Sequence, residues 1–316
     1  MCIESLGGLD ASESAELLHR DAFLLEVRDR DDGKLLGHMI VDPFSRPEKR
    51  NRAWMDSGRV KCDVTGVTPL VFLNLCLVKL LQPGQKQSIE APAFSWDQLK
   101  HTAAELGRAL VFLVSESPYA GTAGLNNLEW DVVNVIDFFM ERLLHQPAVL
   151  SRLSAPNKEK GLLDGLTTER AKEISNCFDE AAFYDTYRNL FLSHFDQKIY
   201  ADKRPFWRDI YQELWREYFP FPADSNDHTP CSFTPIFTQN LAAAYYSNLW
   251  SEMLACDIMT VFEEAGFENQ DEVRRLGREF RKKVLAVGGG APFQESLASL
   301  LKRDPSIQPI CRVYSS

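Results

Sequence analysis

Apolar and polar positions follow one rhythm over the first third of the chain and another beyond about residue 94. Segments 23–27 (FLLEV) and 35–41 (LLGHMIV) flank a charged turn at 28–34 (RDRDDGK). Asp32-Gly33 within it is a hairpin signal, because glycine takes the positive φ that such a turn needs. Two antiparallel strands are expected. Residues 42–57 (DPFSRPEKRNRAWMDS) are polar and proline-punctuated, a loop pattern, whereas 67–78 (VTPLVFLNLCLV) is rich enough in β-branched and large apolar residues for a third strand. From 95 to 114 (SWDQLKHTAAELGRALVFLV) a capping serine and an acidic first turn precede apolar residues at Leu99, Ala103, Leu106, Leu110 and Leu113, the spacing of a helix facing a core. Helical periodicity continues over 127–144, 167–199, 205–218, 240–265, 270–287 and 292–302, with breakers such as FPFPADSNDHTP (219–230) and GGGAP (288–292) between them. The pattern predicts a mainly α architecture with a small antiparallel sheet near the amino terminus.

Composition adds limits. The 316 residues are 45% apolar and 25% charged, enough for a sizeable buried core. With 45 acidic and 35 basic side chains the net charge is −10, which argues against unselective nucleic-acid binding and leaves room only for a local basic patch. The longest apolar stretch, 69–81, is broken by Asn74 and Lys79 and is shorter than the roughly 20 residues of a membrane-spanning helix. Seven scattered cysteines with no Cys-x-x-Cys pair read as free thiols in a reducing compartment. The acidic opening residues show neither a secretory nor a mitochondrial leader pattern.

Few residues announce chemistry. Gly288-Gly289-Gly290 has neither a preceding strand nor a following Lys-Ser/Thr, so it reads as a helix-ending turn rather than a phosphate loop. The stripe Trp207, Tyr211, Trp215 and Tyr218 reads as core or partner surface. The six histidines never stand at the i, i+3 or i, i+4 spacing by which one helix face offers two metal ligands. His101, Glu105 and Asp137 form a reserve set of polar groups.

Two stretches, 242–267 (AAAYYSNLWSEMLACDIMTVFEEAGF) and 279–306 (EFRKKVLAVGGGAPFQESLASLLKRDPS), together with 33–50 and 69–77 upstream, resemble the thimet-type zinc oligopeptidase family, nearest to its mitochondrial intermediate peptidase branch. The resemblance runs over residues 20–306 in the order of the family's catalytic half, with 1–19 as an amino-terminal segment and 307–316 as a tail. It implies a helical metallopeptidase-like fold. It also implies a site that has decayed. Where the family carries H-E-x-x-H, this chain has Ala104-Glu105-Leu106-Gly107-Arg108, and where the family's third ligand, a glutamate, would stand it has Asn134. A methyl group cannot ligate, a guanidinium is a permanent cation and an amide is a poor zinc ligand. In the family's oxyanion-holding segment no histidine occurs, Leu241 and Asn248 stand where tyrosines are expected, and Tyr245 is retained.

These departures imply no catalytic residues, no metal and no cofactor, with Glu105 and Arg108 forming an ion pair in place of zinc. The expected protein is a pseudoenzyme, a structural or accessory subunit of a larger multiprotein complex, mitochondrial by resemblance. Its expected partners are protein subunits, without direct nucleic-acid contact or a transmembrane segment. The alternative is a peptide-binding module or a residual metallo-oligopeptidase using the old cleft, with an extended peptide adding to the sheet near Leu70 to Leu77.

Overall fold

The computed structural model describes residues 2–5, 19–77, 94–154, 165–203, 206–238 and 241–315. Most of the segment 1–19, and the helix starts expected at Pro205 and Asn240, lie outside them. The chain divides into two units. The first comprises Met1–Glu129, Ile136–Leu144 and Ile258–Pro305, and the second Trp130–Val135, His145–Asp257 and Ser306–Ser316.

Strands β1 (Cys2–Ser5), β2 (Phe23–Arg28), β3 (Leu35–Phe44), β4 (Trp54–Arg59) and β5 (Leu70–Leu77) form a sheet in the order β1-β2-β3-β5-β4. The predicted hairpin is β2 and β3, antiparallel with Phe23 opposite Val41, and its turn closes through Gly33 at φ 72°. The sheet is mixed rather than wholly antiparallel. β5 pairs antiparallel with β4 and is inserted between it and β3, so that β3 and β5 run parallel. β4 begins inside the expected loop because its sequence, WMDSGR, turns mostly exposed side chains outward and shows no apolar alternation.

Helices α1 (Trp96–Val114), α2 (Val135–His145), α3 (Pro147–Leu153), α4 (Thr168–Ala201), α5 (Trp207–Tyr218), α6 (Ser247–Ala265), α7 (Gln270–Phe280), α8 (Phe293–Leu301) and α9 (Gln308–Val313) follow. Short helical turns lie at Thr229–Ser232 and Pro235–Thr238. The helix expected from 127 begins only at Val135, since Asn127 sits at φ 59°. The helix expected over 270–287 leaves the α pattern at Arg281–Leu285, a π turn.

In the first unit, α1 lies on the sheet. Ser95 accepts from the Gln98 N–H at 3.2 Å while the Gln98 side chain accepts from the Ser95 N–H at 2.9 Å, a reciprocal cap that fixes where the helix starts. Ala109, Phe112 and Leu113 then pack with Val27, Met39, Val71 and Leu73 of the strands. Truncating Leu113, 1% exposed, costs about 3 kcal/mol on this account. Gly107 sets the approach of α2: a Cβ there would lie 2.7 Å from Met140 Cγ and 3.0 Å from Ile136 Cγ1. Gly288–Gly290 is a short 3-10 turn, and its glycines serve close packing. A Cβ on Gly289 would lie 2.1 Å from the Asn126 carbonyl oxygen, and the Gly289 N–H donates to the Thr122 carbonyl at 3.0 Å.

The second unit has its own core, in which Phe191, Leu192 and Phe195 of α4 meet Ile210, Tyr211 and Leu214 of α5 and Ile236. The aromatic stripe of α5 therefore divides: Tyr211 is buried, while Trp207, Trp215 and Tyr218 pack around the cluster half-buried.

Candidate functional site

The residues that the family resemblance sets at metal positions fall in both units. Ala104, Glu105 and Arg108 belong to the first, with Asp137. Asn134, Tyr245 and Asn248 belong to the second.

In the first unit, the close approach at Gly107 brings Asp137 of α2 beside Arg108 of α1. Arg108 Nε donates to both carboxylate oxygens of Asp137, at 2.8 and 2.9 Å, and Nη2 also bonds Oδ2. The side chains are 30% and 14% exposed. This fork geometry suits a planar guanidinium, and the Asp137 carboxylate holds Arg108 firmly in its charged form against the desolvation that opposes it. The helical spacing of Glu105 and Arg108 pointed to a pair between those two, but Asp137, 29 positions along the chain from Arg108, supplies the bidentate partner. Glu105 instead accepts the backbone N–H of Met55 in β4 at 3.0 Å. Burial pushes its carboxyl above the ordinary range; Arg108 opposes that shift and the Asp137 charge adds to it. His101 turns back on its own helix, its Nδ1 donating to the Asp97 carbonyl at 2.7 Å, so it does not join Glu105 and Asp137 in one set.

In the second unit, Asn134 donates through its side-chain nitrogen to Asn248 Oδ1 at 3.1 Å, and Asn248 donates to the Tyr245 carbonyl at 3.3 Å. The Tyr245 hydroxyl donates to Asn189 at 3.1 Å and its ring meets Phe233 edge-on, while burial raises the phenol above its usual range. The backbone before it is clamped by Asp196, fully buried, which accepts the N–H groups of Ala243 at 2.9 Å and Tyr245 at 3.0 Å. That clamp holds Ala243 at φ 55°. Leu241 offers no polar side chain to this arrangement.

These groups do not fit a divalent metal. Ala104 has no donor atom, Arg108 brings a positive charge already matched by Asp137, Asn134 directs its amide N–H at another amide, and Glu105 is bonded to the sheet. Among the described residues no group of three or more His, Cys, Asp or Glu side chains is arranged to hold a metal ion. Asp137 was legible only as a reserve residue. The small residue at 107, one position before Arg108, is the sequence sign that another helix packs there closely.

Comparison with known proteins agrees with the architecture. The description of Peptidase family M3 matches residues 2–316. Organellar oligopeptidase A, chloroplastic/mitochondrial, of Arabidopsis thaliana is 28% identical over 98% of this chain and 40% of its own length. Oligopeptidase A of Escherichia coli (strain K12) is 27% identical over 99% of this chain and 45% of its own length. The chain thus spans under half the length of these curated relatives. Among solved structures, Trypanosoma cruzi metallocarboxypeptidase 1 aligns over 78% of this chain and 53% of its own with a TM-score of 0.57 at 12% identity, a likeness of fold. Matched from end to end by the family's description, and built as a helical metallopeptidase fold with a small amino-terminal sheet, the chain belongs to peptidase family M3.

Proposed function

We propose that this chain is a catalytically inactive peptidase-like protein, acting as a structural or accessory subunit of a larger mitochondrial multiprotein complex. The observation that carries the reading is the Arg108–Asp137 fork: a permanent, internally neutralised cation occupies a helix position where the family places a metal ligand. Metal-assisted hydrolysis needs an open coordination site and an unencumbered base. The one histidine a turn away from Glu105 on its helix, His101, is bonded back to the Asp97 carbonyl, and the Glu105 carboxylate itself accepts the Met55 N–H. An organellar location is supported by the similarity to the Arabidopsis organellar enzyme. A subunit role is supported by an apolar groove of about 510 Å3 in the second unit, walled by Phe183, Leu190, Trp250 and Ile307, all at least 45% exposed.

Calorimetric titration of zinc chloride into the protein tests the inactive reading, alongside a fluorogenic peptide assay with and without zinc. The expected result is no stoichiometric binding and no turnover. Tight binding lost in Glu105→Ala, or turnover abolished by a chelator, refutes it. Co-purification of the native protein from mitochondria, with mass identification of what accompanies it, tests the subunit role; recovery of the chain alone counts against it.

The peptide-binding alternative meets a different surface from the one expected. β5 (Leu70–Leu77) is flanked on both sides, by β3 and β4, so the sheet edge nearest to it that a peptide strand could extend is β4. There Glu105 already takes the Met55 N–H.

A further inference from the structure

We propose that the first unit carries an anion-binding cavity, separate from the degenerate metal positions, that takes a dianionic oxyanion on an apolar body, the chemistry of a phosphate monoester. The cavity, about 430 Å3, is formed by the turn between β2 and β3, by α1, and by α7 with its π extension. Four guanidiniums line it. Arg30 comes from the turn, and Arg274, Arg278 and Arg281 come from one helical face at i, i+4 and i+7. Two carboxylates of the same turn stand among them. Asp31 takes Arg278 Nε at 3.1 Å and Nη2 at 3.2 Å, and Asp29 takes Arg281 Nη1 at 2.6 Å.

Those pairs leave two arginines without a carboxylate from the cavity lining. Arg30 makes no ion pair or hydrogen bond with any described residue, and Arg274 has Asp271, an almost fully exposed side chain, as its neighbour at 3.4 Å. Four positive and two negative charges give the cavity a surplus of two in a chain whose net charge is −10. A surplus of two, offered by planar forked donors, matches a doubly charged oxyanion. Leu110 and Val114 of α1 and Leu285 of the π turn supply an apolar wall on which an uncharged body would rest.

Gly277 is the independent observation. It stands inside α7, where glycine is the poorest helix former after proline. Packing does not require it, because a Cβ built there meets no heavy atom within 4 Å, and its φ is not in the left-handed region. What the glycine keeps is open space in the cavity wall between Arg274 and Arg278, where a ligand approaches the helix closely.

Calorimetry of the full chain at low salt with phenyl phosphate, inorganic phosphate and benzoate tests the site. Phenyl phosphate is expected to bind one to one and about 10-fold tighter than either of the others, because inorganic phosphate lacks the apolar body and benzoate the second charge. Arg30→Ser and Arg274→Ser, both on the surface, are expected to weaken it about 5-fold each. Gly277→Leu improves the helix and fills the cavity, so it should abolish binding while melting at or above the wild-type temperature. Absence of saturable binding, or binding that Arg274→Ser and Gly277→Leu leave unchanged, overturns the site. Equal affinity for phenyl and inorganic phosphate overturns the apolar wall, and equal affinity for benzoate overturns the dianion.

Discussion

Removing Asp137 tests whether Arg108 is a structural cation. Asp137→Asn keeps the shape and one acceptor but deletes the charge that meets Arg108 Nε at 2.8 and 2.9 Å. Stranding one member of a fully buried pair costs about 3–5 kcal/mol, whereas an exposed pair contributes about 0–1 kcal/mol. Arg108 is 30% exposed and Asp137 14%, which places this pair between those limits. Glu105 remains nearby as a second carboxylate and softens the loss further. The expected destabilisation is therefore about 2 kcal/mol at neutral pH. Replacing both partners by apolar residues, Arg108→Met with Asp137→Leu, leaves no orphan charge and should restore most of that stability. Urea unfolding gives the totals, and native-state hydrogen exchange of the α1 and α2 amides locates the effect in those helices. If Asp137→Asn lies within about 0.5 kcal/mol of the parent, or the double variant is as unstable as the worse single one, the fork is not what secures α2 to α1.

Glu105→Gln should shift the pH dependence of stability. Burial raises the Glu105 pKa above the ordinary carboxylate range, so the folded state holds the proton more tightly than the unfolded chain. Stability from this group is present below the unfolded pKa and lost as pH rises through the folded one. The glutamine variant, which can still accept the Met55 N–H, should then gain on the parent at pH 7 and converge with it near pH 4 in melting temperatures; a gap that grows toward acid pH contradicts this. Asp196→Ala removes the acceptor of two backbone N–H groups and should cost about 3 kcal/mol in urea unfolding. Ala243→Gly relieves the φ of 55° and should stabilise by about 1 kcal/mol. Ser95→Ala breaks the reciprocal cap of α1 and should lower stability by about 1 kcal/mol, read as faster exchange of the first-turn amides.

What the sequence revealed and what it concealed divide along one physical line. The α1 cap, the β2–β3 turn and the apolar face of α1 were legible because each depends on residues within a turn or two of one another: Ser95 with Gln98, Asp32 with Gly33, Leu110 with Leu113. β4 was concealed because its place depends on β5. An edge strand reading WMDSGR carries no apolar face of its own, and only pairing with an already buried neighbour makes it a strand. The Arg108 partner was concealed for the same reason. Helical spacing offered Glu105, but Gly107 lets α2 come close enough for Asp137 to offer both carboxylate oxygens, and a bidentate fork outweighs a single i, i+3 contact. Glu105 could then turn to a donor that no side-chain pattern encodes, the Met55 backbone. Arg108 and Asn134, at positions the family resemblance would assign to metal ligands, thus do more than lack ligating groups. Arg108 and Asn134 have each been drawn into bonds within their own unit, and restoring a histidine at 108 alone would strand the Asp137 carboxylate before it recovered a metal ligand.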